Sequence, residues 1–84
     1  MNNKTINKIY IKLLKNEIDI ILKESKIKYV IGFDGEDIII ACTNKYNAQN
    51  AYINLKSRYD NKKYWGFTSN IIIKNDYIIR ISLN

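Results

Sequence analysis

"IKYVIGFDGEDIIIAC", Ile27 to Cys42, is the stretch on which the fold turns. Two alternating β-branched runs flank Asp34-Gly35, a pair of residues that both tolerate positive φ, and this is the strongest short-range signal for a hairpin. A two-residue loop at that point sets Phe33 opposite Glu36, Ile31 opposite Ile38, Tyr29 opposite Ile40 and Ile27 opposite Cys42 on one face. The other face pairs Gly32 with Asp37, Val30 with Ile39 and Lys28 with Ala41, and is less apolar. Side chains alternate with period two along a strand, so the first set is expected on the core side.

Upstream, Thr5 to Ser25 carries Ile6, Ile9, Tyr10, Leu13, Leu14, Ile18, Ile21 and Leu22 with no breaker, a helical recurrence. Lys8, Lys12, Lys15, Asp19, Lys23 and Lys26 follow one another at steps of three or four and fall on the opposite side. Downstream, a second helix is expected from about Asn44 to Tyr59, with Thr43 or Asn44 capping its first turn. Its apolar stripe, Ala48, Ala51, Tyr52, Leu55 and Tyr59, is narrow and small at one end, which suits a helix lying close on a sheet. "NIIIKNDYIIRISL", Asn70 to Leu83, reads as a second hairpin turning at Asn75-Asp76. One register pairs Ile72 with Ile79 on one face, and Ile73 with Ile78 and Ile71 with Arg80 on the other.

The order is αββαββ, an α+β fold. A four-stranded, mostly antiparallel sheet is expected with two helices packed on one face, and Lys63 to Phe67 can add a short edge segment. The 84 residues make one small domain, residues 1–84, with no proline and no linker. A chain of this length buries roughly 60 to 65% of its unfolded surface and is stable by about 4 to 12 kcal/mol, so each uncovered apolar residue matters.

A lone cysteine, Cys42, cannot close an intramolecular disulfide and reads as a small buried residue in a reducing compartment. No run reaches membrane-spanning length, and the start lacks the apolar core of a secretory signal, so the cytoplasm is the expected location. The formal charge is +6 and the pI about 9.5, but only Arg58 and Arg80 are arginines. Lysine, asparagine, isoleucine and tyrosine dominate together. AT-rich codons encode these residues, which points to an AT-rich bacterium or a phage or plasmid within one.

Two helices cover one face of a sheet, yet the second hairpin carries isoleucine on both faces. Covering one isoleucine contributes about 1.5 to 3 kcal/mol, so the uncovered face is expected to be a partner site or dimer seam. The candidate protein-interface residues are Tyr64, Trp65, Phe67, Ile71, Ile73, Ile78 and Arg80. Trp65 sits in "NKKYWGFTSN", Asn61 to Asn70, and three roles are open to it: a loop or core anchor over the sheet edge, an interface anchor, or a ring on which a base stacks. The nucleic-acid alternative rests on Lys8, Lys12, Lys15 and Lys23 of the first helix, with Arg58, Lys62 and Lys63 near the aromatic segment. A helix-turn-helix is disfavoured, because a hairpin separates the two helices.

Enzymatic readings have little material. There is no histidine, one cysteine cannot build a thiolate metal site, and no glycine-rich phosphate loop exists. Asp34, Glu36 and Asp37 sit at a hairpin tip, where turn geometry accounts for the first and solubility for the others. A non-enzymatic protein with no cofactor, no metal and no small-molecule substrate is expected. In composition the chain is similar to phage and plasmid accessory proteins, including anti-CRISPR inhibitors, although many of those mimic DNA with acidic faces and this chain is basic. The expected function is docking on a protein to inhibit or modulate a host nucleic-acid-handling machine; the alternative is direct DNA or RNA binding.

Overall fold

The structure is a computed structural model describing residues 3–60, 63–64 and 67–83, with side chains for 8–60 and 69–83. The elements run α1 (Asn3–Glu24), β1 (Tyr29–Asp34), β2 (Asp37–Cys42), α2 (Lys45–Tyr59), β3 (Lys63–Tyr64), β4 (Phe67–Lys74) and β5 (Ile78–Leu83). The expected αββαββ order holds: four full strands form an antiparallel sheet, and β3 adds a two-residue edge piece in the order β1-β2-β5-β4-β3.

The core explains why both helices share one face. The buried sheet residues are Ile38, Ile40 and Cys42 of β2, Ile71 of β4, and Ile79 and Ile81 of β5. They alternate along each strand, so they line a single side of the pleat. Ile11, Leu14, Ile18 and Leu22 of α1 close over them, and so do Ala48, Ala51, Leu55 and Tyr59 of α2. The two alanines let α2 approach the sheet closely, as its narrow stripe implies. Tyr59 donates from its hydroxyl to Glu17 at 2.5 Å and Asn54 donates to Ser25 at 3.5 Å, so the helices lie side by side and antiparallel. In α1 the buried line is not the broad expected stripe: Ile9 and Leu13 are exposed and Ile11 is buried. A helix meets a sheet along a line, and the fit of Leu14, Ile18 and Leu22 sets its rotation.

The helix ends are tied by local hydrogen bonds. Asn44 caps α2, its side-chain oxygen accepting from the Asn47 N–H at 2.8 Å. At the end of α1, Lys26 adopts φ 58°, and the Ile27 N–H donates to the Leu22 carbonyl at 3.4 Å. This is the left-handed cap usually built with glycine, here held by a lysine. Below α2, the Ser69 hydroxyl donates to the Tyr59 carbonyl and the Ile71 N–H donates to the Asp60 carboxylate at 3.0 Å, fixing where β4 begins its run under the helix.

Both hairpins form, and both registers differ from expectation. In the first, Phe33 faces Ile38, Ile31 faces Ile40 and Tyr29 faces Cys42. The loop is Gly35-Glu36 with Gly35 at φ 62°, so glycine takes the first central position, as in a type II′ turn, and not the second. The pairing shifts by two residues, which preserves faces, and the expected core set stands except that Phe33 and Glu36 are exposed at the tip.

In the second hairpin the shift is by one residue, which does not preserve faces. Asn75 and Asp76 have φ 53° and 63°, and the Tyr77 N–H closes the turn onto the Lys74 carbonyl at 3.3 Å, so the expected turn is there. Lys74 nevertheless pairs with Ile78, leaving Tyr77 as an extra residue. The Tyr77 carbonyl is engaged by the Cys42 N–H of β2 at 2.9 Å, which draws it out of the β4 ladder. Ile73 therefore faces Ile79, Ile72 faces Arg80 and Ile71 faces Ile81.

Candidate protein-interaction surface

The one-residue shift decides which isoleucines have no helix over them. Ile71 and Ile73, placed by sequence on the uncovered face, belong to the covered one: Ile71 is only 3% exposed and Ile73 packs against the core. Ile78 and Arg80 do lie on the open face. The registers assemble that face into rows across β1, β2, β5 and β4. One row is Val30, Ala41, Ile78 and Lys74; the next is Gly32, Ile39, Arg80 and Ile72. Val30 is 73% exposed and Ile72 41%.

At the centre stands Arg80. Its guanidinium forms ion pairs with Asp34 and Asp37, reaching across two strands to the tip of the first hairpin. Hydrogen bonding to Asp34, then to Asp37, holds the guanidinium above its ordinary pKa, so it stays charged at any working pH. Its Nε is buried and meets no acceptor among the described residues. The acids at the hairpin tip thus have a partner the sequence reading did not assign. Arg80 is the one charge in an isoleucine-rich strand, and that isolation is the signal for it: such a cation needs a carboxylate nearby.

Val30, Gly32, Ile39, Ala41, Ile78 and Arg80 line a shallow groove of about 460 Å³. Four strands at about 4.8 Å and six residues at about 3.3 Å give the face a projected area of roughly 400 Å². That is the whole face, Arg80, Lys74 and Gly32 included; Val30, Ile39, Ile72 and Ile78 supply its large apolar side chains. Chemically the groove offers an apolar floor with one cation held between two carboxylates. Among the described residues no group of three or more His, Cys, Asp or Glu comes together to hold a metal.

The remaining candidates distribute unevenly. Tyr64 and Phe67 pair with each other across β3 and β4, and Lys63 pairs with Thr68. Trp65 and Lys62 lie outside the described residues, as does the reading of Trp65 as a loop anchor. Lys8, Lys12 and Lys23 are exposed on α1. Lys15 sits over the Phe33 ring at 5.7 Å, and Lys23 pairs with Asp19 at 3.4 Å. Arg58, on α2, donates from Nε to Asn54 at 2.9 Å.

These contacts place the α1 lysines along the β1 side of the sheet, away from α2. Lys63 and Tyr64 belong to β3, at the other edge. Four strand spacings, about 19 Å, separate the edges, so the fold does not join the two halves of the proposed nucleic-acid surface.

One part-buried polar contact anchors the α1 side. The Tyr29 hydroxyl donates to the Asp19 carboxylate and lies 3.0 Å from the Asp19 carbonyl. Burial, then the hydrogen bond to Asp19, pushes the Tyr29 hydroxyl up to about 12, and the same bond draws the Asp19 carboxyl below its usual range. Burial pushes the Cys42 thiol up, which disfavours the reactive thiolate. No described helix is long and apolar enough to cross a membrane. Comparison with protein-family models, curated proteins and solved structures finds no match.

Proposed function

We propose that this chain is a non-enzymatic docking protein whose open sheet face seats a protein partner. The reading extends to a phage- or mobile-element-encoded regulator from an AT-rich bacterium, acting in the cytoplasm, that inhibits or modulates a host nucleic-acid-handling machine in the manner of an anti-CRISPR. The observation that carries the docking reading is the uncovered apolar surface around Arg80. Val30, Ile39, Ile72 and Ile78 stay unburied by the chain's own helices, although covering each would contribute about 1.5 to 3 kcal/mol. An arginine set among aliphatic residues has the composition of interface anchors. The area is about half of what one partner contributes to a standard interface, which suits a regulated, reversible contact.

The test uses the double variant Val30→Lys, Ile72→Lys, whose two sites are exposed and whose fold is therefore expected to survive. Quantitative affinity capture from host lysate should recover a specific protein with the wild-type chain and lose it with the variant. Fluorescence anisotropy with labelled single- and double-stranded oligonucleotides runs in parallel. Equal capture by both chains ends the reading. So does oligonucleotide binding at low salt that weakens roughly a thousandfold between 50 and 200 mM, the signature of about six phosphate contacts.

A further inference from the structure

The sheet ends in two unlike edges. β3, at one, is two residues long; β1, at the other, runs for six, and among the described residues no strand lies beyond it. The Thr43 N–H donates to the Lys28 carbonyl, while the Cys42 N–H turns away to Tyr77. Backbone direction alternates along an antiparallel pair, so Lys28, Val30, Gly32 and Asp34 turn their polar groups to β2, and Tyr29, Ile31 and Phe33 aim theirs outward. Three N–H and three C=O groups on one edge are a template for a further strand. Lysine, proline or a bulge commonly blunts such an edge, and Tyr29 to Phe33 has none of these. Gly32 stands mid-strand without the positive φ of Gly35, and a Cβ added to it would meet nothing within 4 Å. With the register unbroken there, a mid-strand glycine suits close approach by another backbone.

Charge says what kind of strand fits. At about 100° per residue, Lys8, Lys12, Lys15, Asp19 and Lys23 span roughly 80° of α1, centred some 95° from its buried line. Asp19 meets the Tyr29 hydroxyl and Lys15 sits over the Phe33 ring, so this flank stands above the free edge of β1; Glu17, bonded to Tyr59, is on the other flank. Four lysines and one aspartate leave it at +3. Lys28 and Glu36 at the two ends of the strand cancel, and Asp34 is paired to Arg80. A hollow of about 620 Å³ bordered by Lys23, Lys28 and Tyr29 opens at one end, and one of about 180 Å³ bordered by Lys8, Lys12 and Phe33 at the other. A second copy set edge to edge would bring this lysine flank against itself. A nucleic-acid strand offers phosphate acceptors, which leave the three edge carbonyls without donors.

We infer that β1 takes up an extended acidic segment of another protein as a further, antiparallel strand of the sheet. Residues opposite one another in an antiparallel pair share a face. The guest residues opposite Tyr29, Ile31 and Phe33 are therefore acidic and meet the α1 lysines, while those opposite Val30 and Gly32 are branched aliphatics that continue the open face. Main-chain hydrogen bonds supply the attachment and the alternation supplies the selectivity.

The probe is a fluorescent heptapeptide, Glu-Val-Glu-Val-Glu-Val-Glu, blocked at both ends and titrated with the full chain in about 50 mM salt by anisotropy. Saturable binding is expected with a Kd below about 100 µM. The Lys-Val counterpart should bind at least about tenfold more weakly, and the variant Lys8→Glu, Lys12→Glu, at two exposed positions, should lose about tenfold with unchanged circular dichroism. N-methylation of the glutamates removes the donors that face β1 and should abolish binding; N-methylation of the valines should change it by less than about threefold. Ile72→Lys, three strands away, should leave the peptide bound, which separates this edge from the open face. Absence of saturable binding, equal binding of the Lys-Val peptide, indifference to both methylations, or tighter binding of a twelve-nucleotide oligothymidine overturns the proposal.

Discussion

The two faces of the sheet are made from the same residue type and have opposite fates. On the covered face Ile38, Ile40, Ile79 and Ile81 are fully buried. On the open face Ile39, Ile72 and Ile78 remain partly or largely in water, around an arginine and its two aspartates. Isoleucine content therefore does not distinguish core from interface in this protein. What distinguishes them is parity: which of two adjacent isoleucines points at the helices.

The comparison breaks most completely if parity itself is reversed. The exchange Ile79→Arg, Arg80→Ile turns the guanidinium to the helix side, where Ile79 is fully buried, and takes it from Asp34 and Asp37. The loss is comparable with the domain's whole stability of about 4 to 12 kcal/mol, so the exchanged variant should show no dispersed amide spectrum by NMR.

Next in size is truncation of one isoleucine on each face. Ile79→Ala should destabilise by about 2 to 5 kcal/mol in urea denaturation, and Ile72→Ala by less than about 1 kcal/mol. Equal losses would mean that the open face is as well packed as the core and would remove the basis for a docking surface.

The polar clamp sharpens the contrast at smaller scale. Asp37 is 28% exposed and Asp34 66%, both bonded to Arg80. Asp37→Ala should cost about 1 to 3 kcal/mol, since it leaves a guanidinium nitrogen without its acceptor in a half-buried place. Asp34→Ala should cost under about 1 kcal/mol because water replaces it. Chemical denaturation of both variants gives the order, and a reversed order would contradict the geometry.

Smallest is the pH dependence at the α1 end. Tyr29 is held up at about 12 against an ordinary value near 10, so the folded chain keeps a proton that the unfolded chain releases. That contribution is whole below pH 10 and is lost as pH rises toward 12. Asp19, held below its ordinary carboxylate value, works in the other direction. Its contribution is present above the unfolded carboxylate value and is lost as pH falls through the folded one. Tyr29→Phe should flatten both limbs, by about 1 kcal/mol on the alkaline side after allowing for partial exposure. Thermal melts across pH 3 to 11 would check it.

Much of this was legible beforehand. Helix and strand order followed from periods of 3.6 and two; the second turn fell on Asn75-Asp76 as expected, and the first moved by one residue, to Gly35-Glu36. The capping role of Asn44 and the α2 stripe were equally readable, because each depends on neighbours within a turn. The site was only half legible. Ile78 and Arg80 were placed on the open face, while Ile71 and Ile73 were assigned to it and belong beneath the helices. Val30 and Ile39 were recognised as sharing the less apolar side of the first hairpin but not as continuing the surface of the second. The rotation of α1, which exposes Ile9 and Leu13 and buries Ile11, had no local signal at all.

The chain's own order of residues determined which segments are helical, which are extended and where they turn, because those preferences act over a few bonds. Only the assembled sheet decided the parity of the second hairpin. The Tyr77 carbonyl is satisfied by the Cys42 N–H of a strand far back in the chain, and a hydrogen bond between segments 35 residues apart has no trace in local pattern. The same holds for Arg80 and its aspartates, whose attraction is set by distance in space and not by separation along the chain.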